Sequence, residues 1–363
     1  MSTNIVNGYG SFLYDKEGKQ YINFSESINI LGHRNKDIIK IIEGHIKSGM
    51  IHYPLTISIP SIAQELTAKL MKIAGIKNGG YVFSSSGSEA VDIAMSIMSE
   101  FGPVITVSGG YFGNSGQFLH LERDYYSRYN KQFRIEFPVD SGMDDIEKLI
   151  DSGAGGIILE PLQVEGGIRE FPNNFIKNIR KNFPDFLICF DESYTGFGKT
   201  SDFFAFERHG VVPDLLVVGK AIGGGIPMGL TLISGDLVTK STIYEKFRNH
   251  AFGSTSGNLI ALELAKSLID HVSDPHFLET VKESGKIVSN ILRPVYGNRF
   301  SGRGLICGVA PLHVEEAGRI AAFLRTMGLM ITDMSGILRI SPPLNIEPDI
   351  LIRGCNIIIK NVE

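Results

Sequence analysis

The chain has 363 residues, of which 43% are hydrophobic and 20% are charged, and its formal net charge is −4. This composition is ordinary for a globular protein with a buried core, and the slightly acidic balance predicts no binding to nucleic acid or to anionic membranes. The 3 cysteines are far apart and form no CxxC pair, which indicates a reducing compartment and neither a disulfide framework nor a zinc site. The N-terminus does not resemble a secretory signal, and no apolar run approaches the roughly 20 residues of a membrane-spanning helix, so we expect a cytoplasmic protein.

The first predicted elements are a hairpin and two helices. Residues 9–24 contain two aromatic-rich runs around the turn sequence Asp15-Lys16-Glu17-Gly18, which is typical of a β-hairpin. Apolar residues then recur at helical spacing from about residue 36 and again from about residue 60.

The middle of the chain alternates short apolar runs with helical segments. The predicted strands lie at 81–84, 104–107, 156–160, 186–191, 215–219 and 230–234. These runs are continuously apolar, whereas a half-exposed antiparallel strand would alternate apolar and polar residues. They therefore predict an α/β fold whose mainly parallel sheet carries helices on both faces.

The last part of the chain predicts a smaller α+β domain. Helices at 258–272 and 277–292 are expected to lead out of the large sheet, and the remainder is expected to contain strands at 305–309 and 338–340 and a helix at 313–327. The N-terminal hairpin is expected to pack with this domain. The predicted organisation is an N-terminal segment (1–45), a large domain (46–274) and a small C-terminal domain (275–363).

Two ionisable residues stand at the carboxyl ends of predicted strands, where open α/β sheets bind ligands. Asp191 ends the run at 186–191, and Lys220 follows the run at 215–219 and precedes a glycine-rich stretch. A lysine at the mouth of a buried strand loses its proton more easily, as a Schiff-base lysine requires, and an aspartate nearby can keep the pyridine nitrogen of pyridoxal 5'-phosphate (PLP) protonated. The structural alternatives are that Lys220 extends to solvent and that Asp191 caps the next turn.

The sequence Ser86-Gly87-Ser88-Glu89 marks the change from a strand to a helix. Ser86 and Glu89 have the spacing of a capping box, in which each side chain bonds a backbone N–H of the first turn. Free amides at such a glycine-bearing helix start bind phosphate well. The alternative is a helix cap with no ligand.

The segments around these residues resemble the class III aminotransferases, PLP enzymes of fold type I that include acetylornithine and ornithine aminotransferases. The matching segments extend over nearly the whole chain and comprise the hairpin at 9–24, residues 31–33, 86–90, 160–167, 191–200, 204–229 and 338–344.

The resemblance implies a role for each matching residue at the cofactor. Lys220 would form the Schiff base with PLP and move the proton, and Asp191 would pair with the pyridinium nitrogen. Gly87 and Ser88 would bind the phosphate, and Tyr111 would stack on the pyridine ring. The remaining members of the expected cofactor-binding set are Ser86, Phe112 and Glu160.

The resemblance also implies a substrate site. Arg339 matches the arginine that holds a substrate carboxylate, with the fork geometry that suits bidentate binding. Glu165 matches the acid that covers this arginine, in part of the family, when the other substrate is bound. Tyr53 lies where family members place residues that contact the substrate.

Two departures from the family pattern affect the expected site. Tyr194 stands where most members have a glutamine that bonds the phenolic oxygen of the cofactor, and its hydroxyl can serve the same purpose. The threonine that binds the phosphate of the partner subunit corresponds to Ser254 or Thr255. This implied contribution from a second chain predicts a homodimer with shared active sites.

The expected function is an aminotransferase that moves an amino group from an amino acid, with glutamate as the expected donor, to a small carbonyl acceptor. An amino-acid racemase, epimerase or aminomutase on the same scaffold is the alternative, because these enzymes use the same lysine and aspartate. A PLP-binding protein without catalysis is a third hypothesis. No GxGxxG follows a strand and no GxxxxGK[ST] occurs, which argues against nicotinamide and nucleotide enzymes.

Overall fold

The N-terminal part of the chain forms a small antiparallel sheet followed by two helices. This computed structural model describes residues 4–53, 59–115, 133–136, 143–172, 174–250 and 257–363. The first elements are β1 (Ile5–Tyr9), β2 (Phe12–Asp15), β3 (Gln20–Asn23), α1 (Lys36–Ser48) and α2 (Ser61–Ala74). The predicted hairpin is confirmed as β2 and β3, and β1 extends it by pairing with β2.

The central part of the chain alternates strands and helices, as predicted. Its elements are β4 (Gly80–Ser84), α3 (Gly87–Met98), β5 (Val104–Val107), β6 (Arg134–Ile135), α4 (Asp144–Asp151), β7 (Gly156–Leu159), β8 (Leu162–Gln163), β9 (Arg169–Glu170), α5 (Phe175–Asn182), β10 (Leu187–Asp191), β11 (Leu215–Val218), β12 (Gly229–Ile233), α6 (Gly235–Lys240), α7 (Thr242–His250) and α8 (Leu259–Val272). Each of the six predicted strands is present, with ends that differ by one residue at most.

The large sheet has the strand order β4-β12-β11-β10-β7-β5-β6. Strands β11, β10, β7, β5 and β6 run parallel, whereas β12 lies antiparallel between β4 and β11. The prediction of a mainly parallel sheet is therefore confirmed, and β12 is the exception among the described strands. The chain reaches β12 from β11 through a short glycine-rich connection, which is too short for the helical crossover that a parallel neighbour requires.

Helices cover both faces of this sheet, and strand β10 shows why all its residues before Asp191 are apolar. Successive side chains of a strand point to opposite faces. Ile188 and Phe190 join the apolar cluster that includes residues of α2, α5 and α8, whereas Leu187 and Cys189 join the cluster on the other face, which includes residues of α3. Both faces of the strand are buried, so it lacks the polar positions of a half-exposed strand.

The C-terminal part forms a second, smaller α+β unit, as predicted. Its elements are α9 (Pro275–Tyr296), β13 (Phe300–Arg303), β14 (Ile306–Val309), α10 (Ala317–Thr326), β15 (Leu329–Met330), β16 (Thr332–Met334), β17 (Ile337–Ile340) and α11 (Pro348–Asn361). Strands β13, β14, β17 and β16 form an antiparallel sheet in that order. Strand β15 instead pairs with β3, so the N-terminal sheet joins this part of the molecule. The domain boundaries at residues 45 and 274 stay a prediction.

The described helices differ clearly from membrane-spanning segments. None of the helices in the described part of the chain combines the length and the apolar character that crossing a bilayer requires.

Candidate active site

A cavity of about 400 Å³ opens at the carboxyl ends of the parallel strands. The chain segments that follow β4, β5, β7, β10 and β11 meet there, because the ends of parallel strands lie along one edge of their sheet. The lining residues come mostly from these segments and are Ile28, Ser85, Ser86, Gly87, Ser88, Val91, Tyr111, Gly113, Glu160, Glu165, Asp191, Ser193, Tyr194, Lys220, Gly225, Ile226, Pro227 and Met228.

Lys220 follows β11 and faces two aromatic rings. Strands β10 and β11 are in register with Asp191 opposite Val217, so Lys220 emerges at the same edge of the sheet as Asp191. Its Nζ lies 5.0 Å from the ring centre of Tyr194 and 6.0 Å from that of Tyr111. The backbone of Lys220 has a φ of +42°, a left-handed conformation that is costly for a residue with a side chain. The chain therefore tolerates backbone strain at the residue that presents this amine to the cavity.

Asp191 is a buried carboxylate at the end of β10, with 5% of its surface exposed. Its Oδ1 accepts a hydrogen bond from the N–H of Ser193, at 2.9 Å. Burial raises the pKa of Asp191, because it disfavours the charged form. A cationic partner stabilises such a buried carboxylate, because it compensates the free-energy cost of burying the negative charge.

Glu160 follows β7 and holds the chain at Tyr111. Its Oε1 accepts a hydrogen bond from the N–H of Tyr111 at 2.9 Å, and its Oε2 accepts one from the N–H of Val164 at 3.4 Å. Burial raises the pKa of Glu160 to about 8. The side chain thus fixes the backbone of an aromatic residue that lines the cavity.

The first turn of α3 lies at the cavity with Gly87 and Ser88. Ser86 caps this helix, and its Oγ accepts a hydrogen bond from the N–H of Glu89 at 3.2 Å. The capping box predicted for this pair differs in one respect, because Oε2 of Glu89 accepts from the N–H of Ser85 at 2.7 Å. The Glu89 carboxylate thus reaches one residue further back along the chain than the motif predicts.

Tyr194 and Arg339 lie next to each other although they belong to different parts of the fold. Cζ of Arg339, on β17, is 5.0 Å from the ring centre of Tyr194, which is within the range of a cation–π contact. Both side chains are buried, with 5% of Arg339 and 7% of Tyr194 exposed. Among the described residues, Nε of Arg339 has no hydrogen-bond partner. Burial raises the pKa of Tyr194, and the positive charge of Arg339 opposes that shift.

The other predicted site residues lie in different places. Glu165 lines the cavity, and the described structure contains no ion pair between it and Arg339. Phe112 packs into an apolar cluster of the core, and Tyr53, whose N–H donates to the carbonyl of Gly257 at 2.8 Å, is not among the described lining residues. Residues Ser254 and Thr255 are outside the described residues.

The structure adds residues that the sequence patterns did not single out. Ser193 lines the cavity, and its backbone N–H binds the side chain two positions earlier, an Asx-turn spacing from which it could have been predicted. Ile28 lines the cavity from the N-terminal segment, and Nζ of Lys199 lies 5.6 Å from the ring centre of Tyr194. Neither of these two carries a local signal, since their neighbours in space are distant in sequence.

The donor set of this cavity fits PLP. The amine of Lys220 and the carboxylate of Asp191 are the groups that bind the aldehyde and the pyridine nitrogen of this cofactor. The first N–H groups of α3 have no intrahelical acceptor, and they suit a phosphate. Ser193 also lines the cavity and adds a buried hydroxyl to this donor set.

Comparisons with known proteins agree with this assignment. The model of the family "Aminotransferase class-III" matches residues 1–362. An acetylornithine aminotransferase of Aquifex aeolicus is 27% identical over 99% of this chain and 96% of its own length. A second, from Methanopyrus kandleri, is 29% identical over 95% of this chain and 90% of its own length.

Solved structures show the same fold. An amine transaminase from an uncultivated Pseudomonas species, solved with PLP bound, superposes with a TM-score of 0.86 over 100% of this chain and 96% of that one, at 20% identity. An ornithine aminotransferase of Toxoplasma gondii also superposes with a TM-score of 0.86, over 99% of this chain and 90% of that one, at 20% identity.

These findings decide between the hypotheses that the sequence left open. The relatives are named as transaminases, so the comparisons support transamination and support neither the racemase or aminomutase alternative nor a PLP-binding protein without catalysis. The chain belongs to the class III aminotransferases, and it is a PLP-dependent transaminase of fold type I.

Proposed function

We propose that this transaminase holds its cofactor through Lys220, Asp191 and the first turn of α3. The single observation that carries the proposal is that an amine, a buried carboxylate and a helix start meet at one cavity. PLP, when bound, supplies an aldehyde that takes up amino groups and a pyridine ring that withdraws electrons. Lys220 supplies the Nζ that bonds to the aldehyde, and Asp191 keeps the ring nitrogen protonated.

Each remaining residue of the proposed cofactor site has one task. Gly87 and Ser88 bind the phosphate through backbone N–H groups and a hydroxyl, and Ser86 holds their turn in place as its cap. Tyr111 covers the cofactor ring, with its backbone fixed by Glu160. Tyr194 offers its hydroxyl to the phenolic oxygen in place of the usual glutamine. The hydroxyl of Ser254 or Thr255 of one subunit binds the phosphate of the cofactor that the other subunit holds.

We propose that Arg339 binds the carboxylate of the amino donor, with glutamate as the donor. A buried guanidinium is costly unless an anion or several acceptors compensate it, and a substrate carboxylate does so with good geometry. Glu165 lines the cofactor cavity, whose described lining does not include Arg339, and it is the acid that covers Arg339 when the carbonyl acceptor is bound.

The test of this function uses the purified protein with PLP. Borohydride reduction followed by peptide mass spectrometry should find the cofactor mass on the peptide that contains Lys220. Glutamate should remove the visible absorbance of the bound cofactor and release 2-oxoglutarate, and a carbonyl acceptor should restore that absorbance. A cofactor fixed elsewhere, or no spectral change with any common amino donor, would contradict the proposal.

We propose that the protein acts in the cytoplasm as a homodimer with shared active sites. Helix α1 is evidence for a second chain. None of its residues is buried, although it carries five isoleucines. Ile46 is 66% exposed, and Met50 and Ile51 just beyond the helix are each 50% exposed. Apolar surface of this kind is typical of an interface. Sedimentation equilibrium should give twice the chain mass, and a monomeric mass at working concentration would contradict the dimer.

A further inference from the structure

Lys199 is a completely buried lysine in the loop that follows β10. Its Nζ donates hydrogen bonds to the carbonyl oxygen of Glu26 and, at 2.8 Å, to Oγ of Ser341. Oγ of Ser341 itself donates to the same Glu26 carbonyl at 2.7 Å. Glu26 follows β3, and Ser341 follows β17. One amine therefore ties the N-terminal segment, the large sheet and the small C-terminal sheet together.

The carboxylate of Glu26 forms its hydrogen bonds with groups other than this amine. Its Oε1 accepts hydrogen bonds from the N–H groups of Ser27, Ile28 and Asn29, and its Oε2 lies 3.1 Å from Nε2 of His33. Lys199 thus bonds a carbonyl and a hydroxyl where a buried lysine would ordinarily pair with a carboxylate. Burial lowers the pKa of Lys199 to about 7, and the nearby negative charge of Glu26 opposes that shift.

The same amine also faces the ring of Tyr194. Among the described residues, three basic side chains approach this ring, with Nζ of Lys199 at 5.6 Å, Nζ of Lys220 at 5.0 Å and Cζ of Arg339 at 5.0 Å from its centre. Tyr194 is therefore the common neighbour of Lys199, of the lysine that binds the cofactor and of the arginine proposed to bind the substrate.

Two paths lead from Lys199 to Arg339. The first is the Tyr194 ring, which Lys199 and Arg339 both contact. The second is the chain itself, since Ser341 lies two residues after Arg339 and its hydroxyl accepts from Lys199. A guanidinium binds a carboxylate bidentately only when its plane is correctly oriented, and Nε of Arg339 has no partner among the described residues to orient it.

We propose that Lys199 is a positioning residue for the substrate carboxylate. Lys199 holds the Tyr194 ring and the end of β17. It thereby fixes the position and orientation of the Arg339 guanidinium relative to Nζ of Lys220. The proposal rests on the proposed function, because it takes Arg339 to be the group that binds the carboxylate.

The test compares the holoenzyme with its Lys199→Met variant, using two probes. Glutarate, a dicarboxylate without an amine, reports carboxylate binding by calorimetry, and hydroxylamine, an amine without a carboxylate, reports the reactivity of the bound cofactor. Lys199→Met should weaken glutarate binding by about tenfold, the size expected when hydrogen bonds to a charged group are lost. Its rate with hydroxylamine should stay within about twofold of wild type, and Lys199→Arg, which keeps both donors, should restore glutarate binding.

Controls separate this proposal from the function on which it rests. Ser341→Ala breaks the same link without removing a buried amine, and it should weaken glutarate binding selectively even if Lys199→Met does not fold. A lower thermal midpoint with unchanged glutarate binding in both variants would mean a structural role alone and would overturn the proposal. If Lys199→Met lowered the rate with hydroxylamine as much as it weakened glutarate binding, the proposal would also be overturned. If Arg339→Met binds glutarate like wild type, the carboxylate role of Arg339 itself is wrong.

Discussion

Gly219 and Gly87 face each other where β11 ends and α3 begins. A Cβ atom on Gly219 would lie 2.8 Å from Cα of Gly87, closer than such atoms approach in folded proteins, and 3.1 Å from its backbone nitrogen, which is tighter than most such contacts. Gly219 itself has an extended backbone that any residue adopts. The requirement for glycine is therefore one of space, because the helix start must reach the strand end that carries Lys220.

Replacing Gly219 with alanine should destabilise the protein and weaken PLP binding. The added methyl meets backbone rather than a flexible side chain, so α3 must move, at a cost of about 1–3 kcal/mol in the free energy of unfolding. Urea unfolding and PLP titration of the variant measure the two effects. Gly318→Ala, on α10, is the matched control, since its Cβ would meet only an ordinary contact at 3.8 Å, and it should leave both quantities near wild type or raise stability.

Replacing Lys220 with alanine should abolish the borohydride-stable attachment of PLP and nearly all turnover. Weak PLP binding should survive, because the amides of α3 and the Asp191 carboxylate are unchanged. Mass spectrometry after reduction and equilibrium dialysis with PLP measure these outcomes. An exposed lysine such as Lys16 gives the matched control, in the variant Lys16→Ala. Attachment of PLP to another lysine at full activity would contradict the assignment.

Replacing Arg339 with alanine should raise the apparent Michaelis constant for carboxylate donors. The effect should correspond to about 2–5 kcal/mol, the usual consequence of removing one member of a buried charge pair. Steady-state kinetics with glutamate measure it. A neutral amine that the enzyme accepts should be affected far less, and an equal loss with both donors would show that Arg339 has a different role.

The buried Glu160 predicts a pH dependence of stability in the cofactor-free protein. Its pKa is about 8 in the folded chain, against an ordinary value of 4.5, so the native state binds more protons than the unfolded state between these pH values. The free energy of unfolding should therefore fall, relative to the Glu160→Gln variant, as the pH rises through this window. Denaturant unfolding at several pH values measures the difference.

The control for this prediction is Glu147→Gln, at an exposed position on α4, which should follow the wild-type profile. A constant difference between wild type and Glu160→Gln at all pH values would contradict the proposed titration. A difference that grew in favour of wild type with rising pH would contradict its sign.

The sequence by itself determined the strands of the large sheet and the residues at their ends. Continuous apolar runs such as 186–191 are local signals, because a strand buried on both faces has no polar positions. Asp191 and Lys220 were predictable for the same reason, since Asp191 ends one such run and Lys220 directly follows another. The family match then confirmed the fold and the transaminase class that these residues suggested.

Only the tertiary structure decided which distant residues meet. Lys199 bonds Glu26 across 173 positions and Ser341 across 142, and Arg339 reaches Tyr194 from the other sheet. The side chain of Phe112 packs into the core beside a cavity that Tyr111 lines. No local pattern encodes these contacts, because periodicity reports which face of an element is apolar and not which other element covers it. Three distant chain segments pack around the buried amine of Lys199, and only the folded structure brings them together.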